Sequence, residues 1–208
     1  MTLPKMNKPF SMIREFHLAD WFTLGNAVCG MGALFSVMTY LQVGEVMHIY
    51  FACGMVLAAV VFDVLDGRIA RWRQQTSAMG RELDSLADVI SFGVAPAAIA
   101  YGCGMQGLYD RIVLVYFVAC GVSRLARYNI TAEALSEGGS KVKYFEGTPI
   151  PTSLLLVLLM FVAATQGALR ESLWFGEFKL AGFSLHPLVL VFAVSGSLMV
   201  SRIRFPKF

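Results

Sequence analysis

Six runs of apolar residues, separated by short polar stretches, dominate this chain of 208 residues. They fall at about 21–43, 46–66, 84–104, 111–128, 151–165 and 185–200. A helix needs about 20 consecutive apolar residues to cross a bilayer. A spanning segment must also satisfy its own backbone hydrogen bonds, which leaves the helix as the natural form for isolated runs of this length. With 57% hydrophobic and only 15% charged residues, the composition excludes an ordinary soluble domain. The expectation is an all-α integral membrane protein with six transmembrane helices. Residues 20–208 then form one six-helix transmembrane domain, and residues 1–19 a short juxtamembrane segment. In that segment Lys5, Lys8 and Arg14 alternate with Phe10, Met12, Ile13, Phe16 and Leu18. This pattern suits an interfacial amphipathic helix and suits a disordered leader equally well.

Basic residues are placed unevenly. If the runs span alternately, fourteen of the seventeen lysines and arginines lie on one side, leaving Arg111, Arg170 and Lys179 on the other. The positive-inside bias then puts both termini in the cytoplasm. Cys29, Cys53, Cys103 and Cys120 lie in or beside different apolar runs without C-x-x-C spacing, and read as small packing residues.

Against this apolar background the segment 63–88 stands out. Asp63, Asp66, Asp84 and Asp88 occupy or adjoin run ends where a lipid-facing helix carries no charge. Acids in such places are costly unless paired, wetted or bound to a cation, and they usually mark function. Asp63 and Asp66 are three apart and Asp84 and Asp88 four apart, so each pair shares one helix face. Two helices joined by a short turn can aim all four into one space, where their mutual repulsion calls for cations. All-oxygen donors suit Mg²⁺, Mn²⁺ or Ca²⁺. Gly67, Ala70, Arg71 and Gly80 lie between the pairs. Glycines let a ligand approach the backbone, and an arginine can clamp a phosphate, so the segment describes a phosphate-ester site. The structural alternative is helix capping, for which Asp84 is placed at the head of the third run, with ion pairing to Arg68, Arg71 or Arg81.

The spacing D-x2-D-G-x2-A-R-x8-G-x3-D-x3-D resembles, at every specified position, the signature of the CDP-alcohol phosphotransferases, membrane enzymes of phospholipid synthesis. The resemblance implies transfer of a phosphatidyl group from CDP-diacylglycerol to a small alcohol, with release of CMP, by two divalent cations, Mg²⁺ or Mn²⁺. It implies Asp63, Asp66 and Asp84 as metal ligands, and Asp88 as ligand or neighbour and as general base. Gly67, Arg71 and Gly80 would hold the CDP end, with Ser77, Thr23 and Asn26 as looser candidates. Ala19 and Asp20 stand where many members carry a proline-asparagine pair. A homodimer in the bacterial inner membrane or its equivalent, with its active site on the cytoplasmic face, is also implied, and no nucleic acid partner.

A second polar cluster, CGVSRLARYN, closes the fourth run, and YFEGTPIPTS precedes the fifth. Arg124, Arg127 and Asn129 suit an acceptor carrying a carboxylate, because guanidinium forks match that geometry. A phosphorylated alcohol would equally want basic residues, and anchoring to lipid headgroups is the structural alternative. The wording of both stretches is similar to the serine-accepting branch of the same family, which implies L-serine as acceptor. Inositol phosphate, glycerol phosphate and glycerol are the rival acceptors. A reading from another class is a cation transporter, which wants acids near the midplane and none of the signature; runs four to six are expected to hold no buried acid.

Overall fold

The computed structural model describes residues 17–73, 78–138, 144–180, 182–201 and 203–206. The first sixteen residues, which carry most of the proposed juxtamembrane segment, and Ser77 lie outside the described residues. The chain is mostly helical: α1 is Leu18–Val43, α2 Met47–Arg73, α3 Ala78–Asp88, α4 Ala95–Cys103, α5 Leu108–Gly138, α6 Leu154–Thr165 and α7 Leu190–Met199. Each apolar run is helical over most of its length. Three helical stretches, Leu18–Val43, Met47–Arg73 and Met79–Cys103, are long and apolar enough to cross a membrane, and Ile150–Thr165 and Pro187–Met199 are shorter apolar helices.

Several boundaries move outward from those expected. The third helix starts at Ala78, so Asp84 lies inside it and caps nothing. The α2 helix continues past Asp66 to Arg73, placing Arg71 and Arg73 in its last turn, where cations favour the helix dipole. The α5 helix extends through Gly138, ten residues beyond the end of the fourth apolar run. The head of α1 is fixed by Asp20, whose Oδ2 accepts the His17 N–H at 2.7 Å, so this departure from the family pattern is an N-terminal cap.

The fold is also not purely helical. Two short antiparallel pairs form between β1 (Tyr144–Glu146) and β4 (Arg204–Pro206), and between β2 (Phe178–Leu180) and β3 (Phe183–Leu185). Three-residue strands carry too little periodicity to be read from sequence.

Between α3 and α4 the helix widens into a π-helical turn, Val89–Val94. The Ala95 N–H reaches back five residues to the Ile90 carbonyl, immediately before Pro96, whose missing N–H breaks the regular ladder. This turn lies at the centre of the bundle, touching α1, α2 and α5 as well as its own flanking helices. Lipid tails give no net reward for burying one apolar helix against another, so close packing through small residues must hold such a bundle. Gly30 shows this. A Cβ at that position would lie 2.5 Å from Ser91 Oγ and 2.9 Å from Ser91 Cα, so α1 meets the π-turn backbone directly. The Ser91 hydroxyl donates to the Asn26 carbonyl at 2.9 Å across the same contact.

The four cysteines are free and buried, as packing residues should be. A buried acid that the apolar pattern did not announce, Asp110, lies just ahead of the fourth run. It lies in the first turn of α5 with 0% exposure. Its carboxylate accepts the backbone N–H groups of Gly107 and His186 at 2.9 and 2.8 Å and lies 2.7 Å from His186 Nδ1. Asp110 stands about 20 Å along the helix from Arg124 and serves as a clasp between α5 and the segment leading into α7.

Replacing Gly30 with alanine should destabilise the protein by about 1–3 kcal/mol, the usual cost of overpacking. Thermal unfolding in detergent checks this against Gly54→Ala, where a Cβ meets nothing within 4 Å and no loss is expected. Equal stability of the two variants would contradict the packing account.

Candidate active site

The signature acids converge. The C-terminal part of α2 brings Asp63 and Asp66 beside α3, and one carboxylate oxygen from each of Asp63, Asp66 and Asp84 lies within 4.8 Å of the others. Helical spacing accounts for the pairings, each pair sharing one face of its helix. Asp66 is buried, and Asp63 and Asp84 are half-buried. Among the described residues no arginine pairs with any of the four aspartates, so the ion-pairing alternative does not describe this cluster. One oxygen of Asp84, Oδ1, is closed off from solvent and has no hydrogen-bond partner.

Three acids so close, with an orphaned oxygen among them, are unstable as bare charges in a site of low polarity. Carboxylate oxygens are hard donors of the kind that hold Mg²⁺ or Mn²⁺, so the residues present fit a divalent cation. Asp88 stands outside the triad, one helical turn beyond Asp84 and only 7% exposed.

The α1 helix supports the acids from behind. Thr23 Oγ1 donates to Asp66 Oδ2 at 2.8 Å, and Asn26 Nδ2 donates to Asp88 Oδ1 at 3.1 Å. Both α1 residues are buried, Asn26 to 0% exposure. The family resemblance implied nucleotide contacts for them; the structure places their side chains on the carboxylates. Charge-assisted bonds of this kind fix an acid's rotamer as well as its charge.

The other signature residues lie on the α2–α3 side. Gly67 is half-buried, and a Cβ there would meet nothing within 4 Å, so internal packing does not require glycine at this position. Arg71 is exposed, and its Nε donates to the Gly67 carbonyl at 3.0 Å. Gly80 lies in the first turn of α3, half-buried.

Beside the acids lies a cavity of about 220 Å³. Asp84 and Asp88 form part of its wall, together with Arg81 and Ser85 of α3, Arg124 and Asn129 of α5, and the Pro149–Pro151 stretch before α6. Of the second polar cluster, Arg124 and Asn129 therefore face the same space as the acids, whereas Arg127 is exposed and does not line it. Asn129 Nδ2 donates to Ser85 Oγ at 3.0 Å and to Glu82 at 3.3 Å, tying α5 to α3. Sequence reasoning missed Arg81 and Ser85 as cavity residues, although their positions beside Gly80 and Asp84 on one helix offered the signal.

The proline wall is held by Gly147. Its φ of +75° is left-handed, and a Cβ there would come within 2.3 Å of the Met199 carbonyl. Its N–H donates to the Ile203 carbonyl at 3.0 Å, so the stretch after β1 is pinned to the end of α7. The Glu146–Pro151 motif thus shapes the cavity through its backbone.

A family model described as CDP-alcohol phosphatidyltransferase matches residues 16–197. A CDP-diacylglycerol–serine O-phosphatidyltransferase of Saccharomyces cerevisiae is 43% identical over 95% of this chain and 73% of its own length. A protein of the same name from Helicobacter pylori is 38% identical over 90% of this chain and 70% of its own, and one from Bacillus subtilis is 30% identical over 89% and 88%.

If the triad holds a cation, purified protein should bind Mn²⁺, seen as loss of the free-ion paramagnetic resonance signal. Asp63→Asn, Asp66→Asn and Asp84→Asn should each weaken that binding by about tenfold or more, whereas Asn129→Ala should not. Unchanged Mn²⁺ binding in all three aspartate variants would contradict the assignment.

Proposed function

The chain belongs to the CDP-alcohol phosphatidyltransferase family, and from that premise we propose its reaction and the part each residue plays. It transfers the phosphatidyl group of CDP-diacylglycerol to the hydroxyl of L-serine, giving phosphatidylserine and CMP. The observation that carries this is similarity along nearly the whole chain to transferases named for serine, over a stretch containing both polar clusters.

In the reading we favour, serine lies in the cavity with its hydroxyl toward Asp88. Asp88 takes the hydroxyl proton, and the serine oxygen forms a bond to the phosphatidyl phosphorus. The bond between that phosphorus and the bridging oxygen of the diphosphate breaks, and CMP departs with the electron pair. Divalent cations on Asp63, Asp66 and Asp84 neutralise negative charge on the phosphate oxygens when bound. Thr23 and Asn26 keep Asp66 and Asp88 in fixed rotamers, so the nucleotide contacts fall to Gly67, Arg71 and Gly80, with Ser77 a further candidate. The open space over Gly67 supports a ligand lying against the backbone there. Arg71, whose Nε donates to the Gly67 carbonyl at 3.0 Å, is exposed and can turn to meet the charge of the leaving CMP.

The topology belongs to the same proposal. Six spans put both termini, the acids and the cavity on the cytoplasmic face, where serine is dissolved and the lipid substrate arrives within the bilayer. Support comes from the apolar helices and from the distribution of lysine and arginine. Two copies associate in the membrane as a homodimer.

With purified protein, CDP-diacylglycerol and Mg²⁺ or Mn²⁺, CMP should be released with L-serine and not with inositol phosphate or glycerol phosphate. Release with a different acceptor alone would overturn the choice of serine. Asp88→Asn should lower turnover by about 10²–10⁴-fold while CDP-diacylglycerol still binds. Full activity in that variant would remove Asp88 as the base.

A further inference from the structure

The head of α5, about 20 Å along the helix from the cavity, carries the two-faced β2–β3 hairpin. Phe178 stands opposite Leu185 and Lys179 opposite Ser184. Cross-strand partners share a face and neighbours along a strand alternate, so Phe178, Phe183 and Leu185 lie on one side and Lys179 and Ser184 on the other. Glu177 joins the polar side, where the Ser184 hydroxyl donates to its carboxylate. The apolar side is only partly seated. Leu185 packs on the core, and Phe183 meets Tyr109 of α5 edge to face, with ring centroids 6.2 Å apart. Phe183 and Phe178 remain 50% and 60% exposed. The turn leading into the hairpin adds a third ring. Its Gly176 N–H closes on the Leu173 carbonyl at 3.0 Å, and Phe175 takes the third position with φ +68°. Glycine or asparagine usually fills such a place, because a Cβ there crowds the backbone. Phe175 is nonetheless 73% exposed and outside the core, so packing among the described residues does not account for its ring.

We propose that Phe175, Phe178 and Phe183 anchor this hairpin in the headgroup layer of the bilayer, at the membrane surface opposite the acids. Two constraints fix its depth. The outer edges of a two-stranded pair carry N–H and C=O groups with no strand beside them, which hydrocarbon cannot satisfy. Three exposed rings on one short element are equally unsuited to open water. The interfacial layer serves both, and aromatic side chains concentrate there. Continuity makes lipid the occupant. From Tyr109, on which Phe183 rests, the outer face of α5 runs on through Ile112 and Tyr116, three and four residues apart, both exposed. On a membrane helix that stripe faces lipid, and the hairpin's rings prolong it at its end. The Asp110–His186 clasp holds the arrangement, because it ties the residue after β3 to the first turn of α5.

Spin labelling of the full chain in liposomes tests the anchor. The four native cysteines are buried, so a nitroxide reagent reacts at a cysteine introduced as Phe178→Cys or, on the other face of the same strand, Lys179→Cys. At position 178, collision with oxygen, which dissolves in lipid, should exceed collision with a water-soluble nickel chelate several-fold. At position 179 the order should reverse. Water-like values at both positions would overturn the proposal. So would spin–spin broadening at position 178 that disappears on dilution with unlabelled protein, since a second copy would then cover the face. A separate arm uses the unaltered protein. Hydroxyl-radical oxidation in liposomes, read by mass spectrometry, should modify Phe175, Phe178 and Phe183 several-fold less than in the unfolded chain. Oxidation near the unfolded level would overturn the proposal even if neither cysteine variant folded.

Discussion

Everything in this molecule is arranged around carboxylates that repel one another. Three aspartates place oxygens within 4.8 Å in a half-buried site, and a fourth stands one turn away with 7% exposure. Such a cluster persists only if the surrounding structure over-determines it and a counter-charge completes it. The first condition has visible sources. Thr23 and Asn26 on α1 hold Asp66 and Asp88, and Ser91 in the π-turn holds the Asn26 backbone in turn. Gly30 permits the close approach of α1 to the π-turn on which this chain of contacts relies. The π-turn therefore links bundle packing to the position of Asp88, through one serine and one asparagine.

The second consequence concerns where the chemistry happens. The aspartates of α2 and α3 form a negative cluster that fits a cation, and Arg81 of α3 and Arg124 of α5 line the cavity beside it. Asp88, in the wall of that cavity, is the residue proposed to take the proton of the acceptor. Gly147 and the prolines after it close the cavity by pinning the segment before α6 to the end of α7.

Much of this was legible in the sequence because helical periodicity converts spacing directly into geometry. The offsets of three and four between aspartates define faces, and the structure brings Asp63, Asp66 and Asp84 together as those faces require. The four cysteines were legible as packing residues because each lies in or beside a different apolar run without C-x-x-C spacing. Less visible were features set by contacts between elements distant in sequence. Asn26 and Asp88 are 62 residues apart, and nothing local in either stretch says that one holds the other. Asp110 and its partner His186 are 76 positions apart, and nothing local to either marks the contact. The β1–β4 pairing joins segments about sixty residues apart through strands too short to show alternation. Helix ends were misplaced where polar sequence continued a helix beyond the apolar run, as at Arg73 and Gly138.

The central claim is that these acids serve one direct displacement by the acceptor hydroxyl, with no protein group ever bonded to the phosphatidyl phosphorus. The stereochemistry at that phosphorus tests it most directly, using CDP-diacylglycerol made chiral there by oxygen isotopes and sulfur. A single in-line attack inverts the configuration in the phosphatidylserine formed. Retention would mean two successive displacements through a covalent phosphatidyl-enzyme, and would contradict a role for Asp88 as the base that activates serine for direct attack.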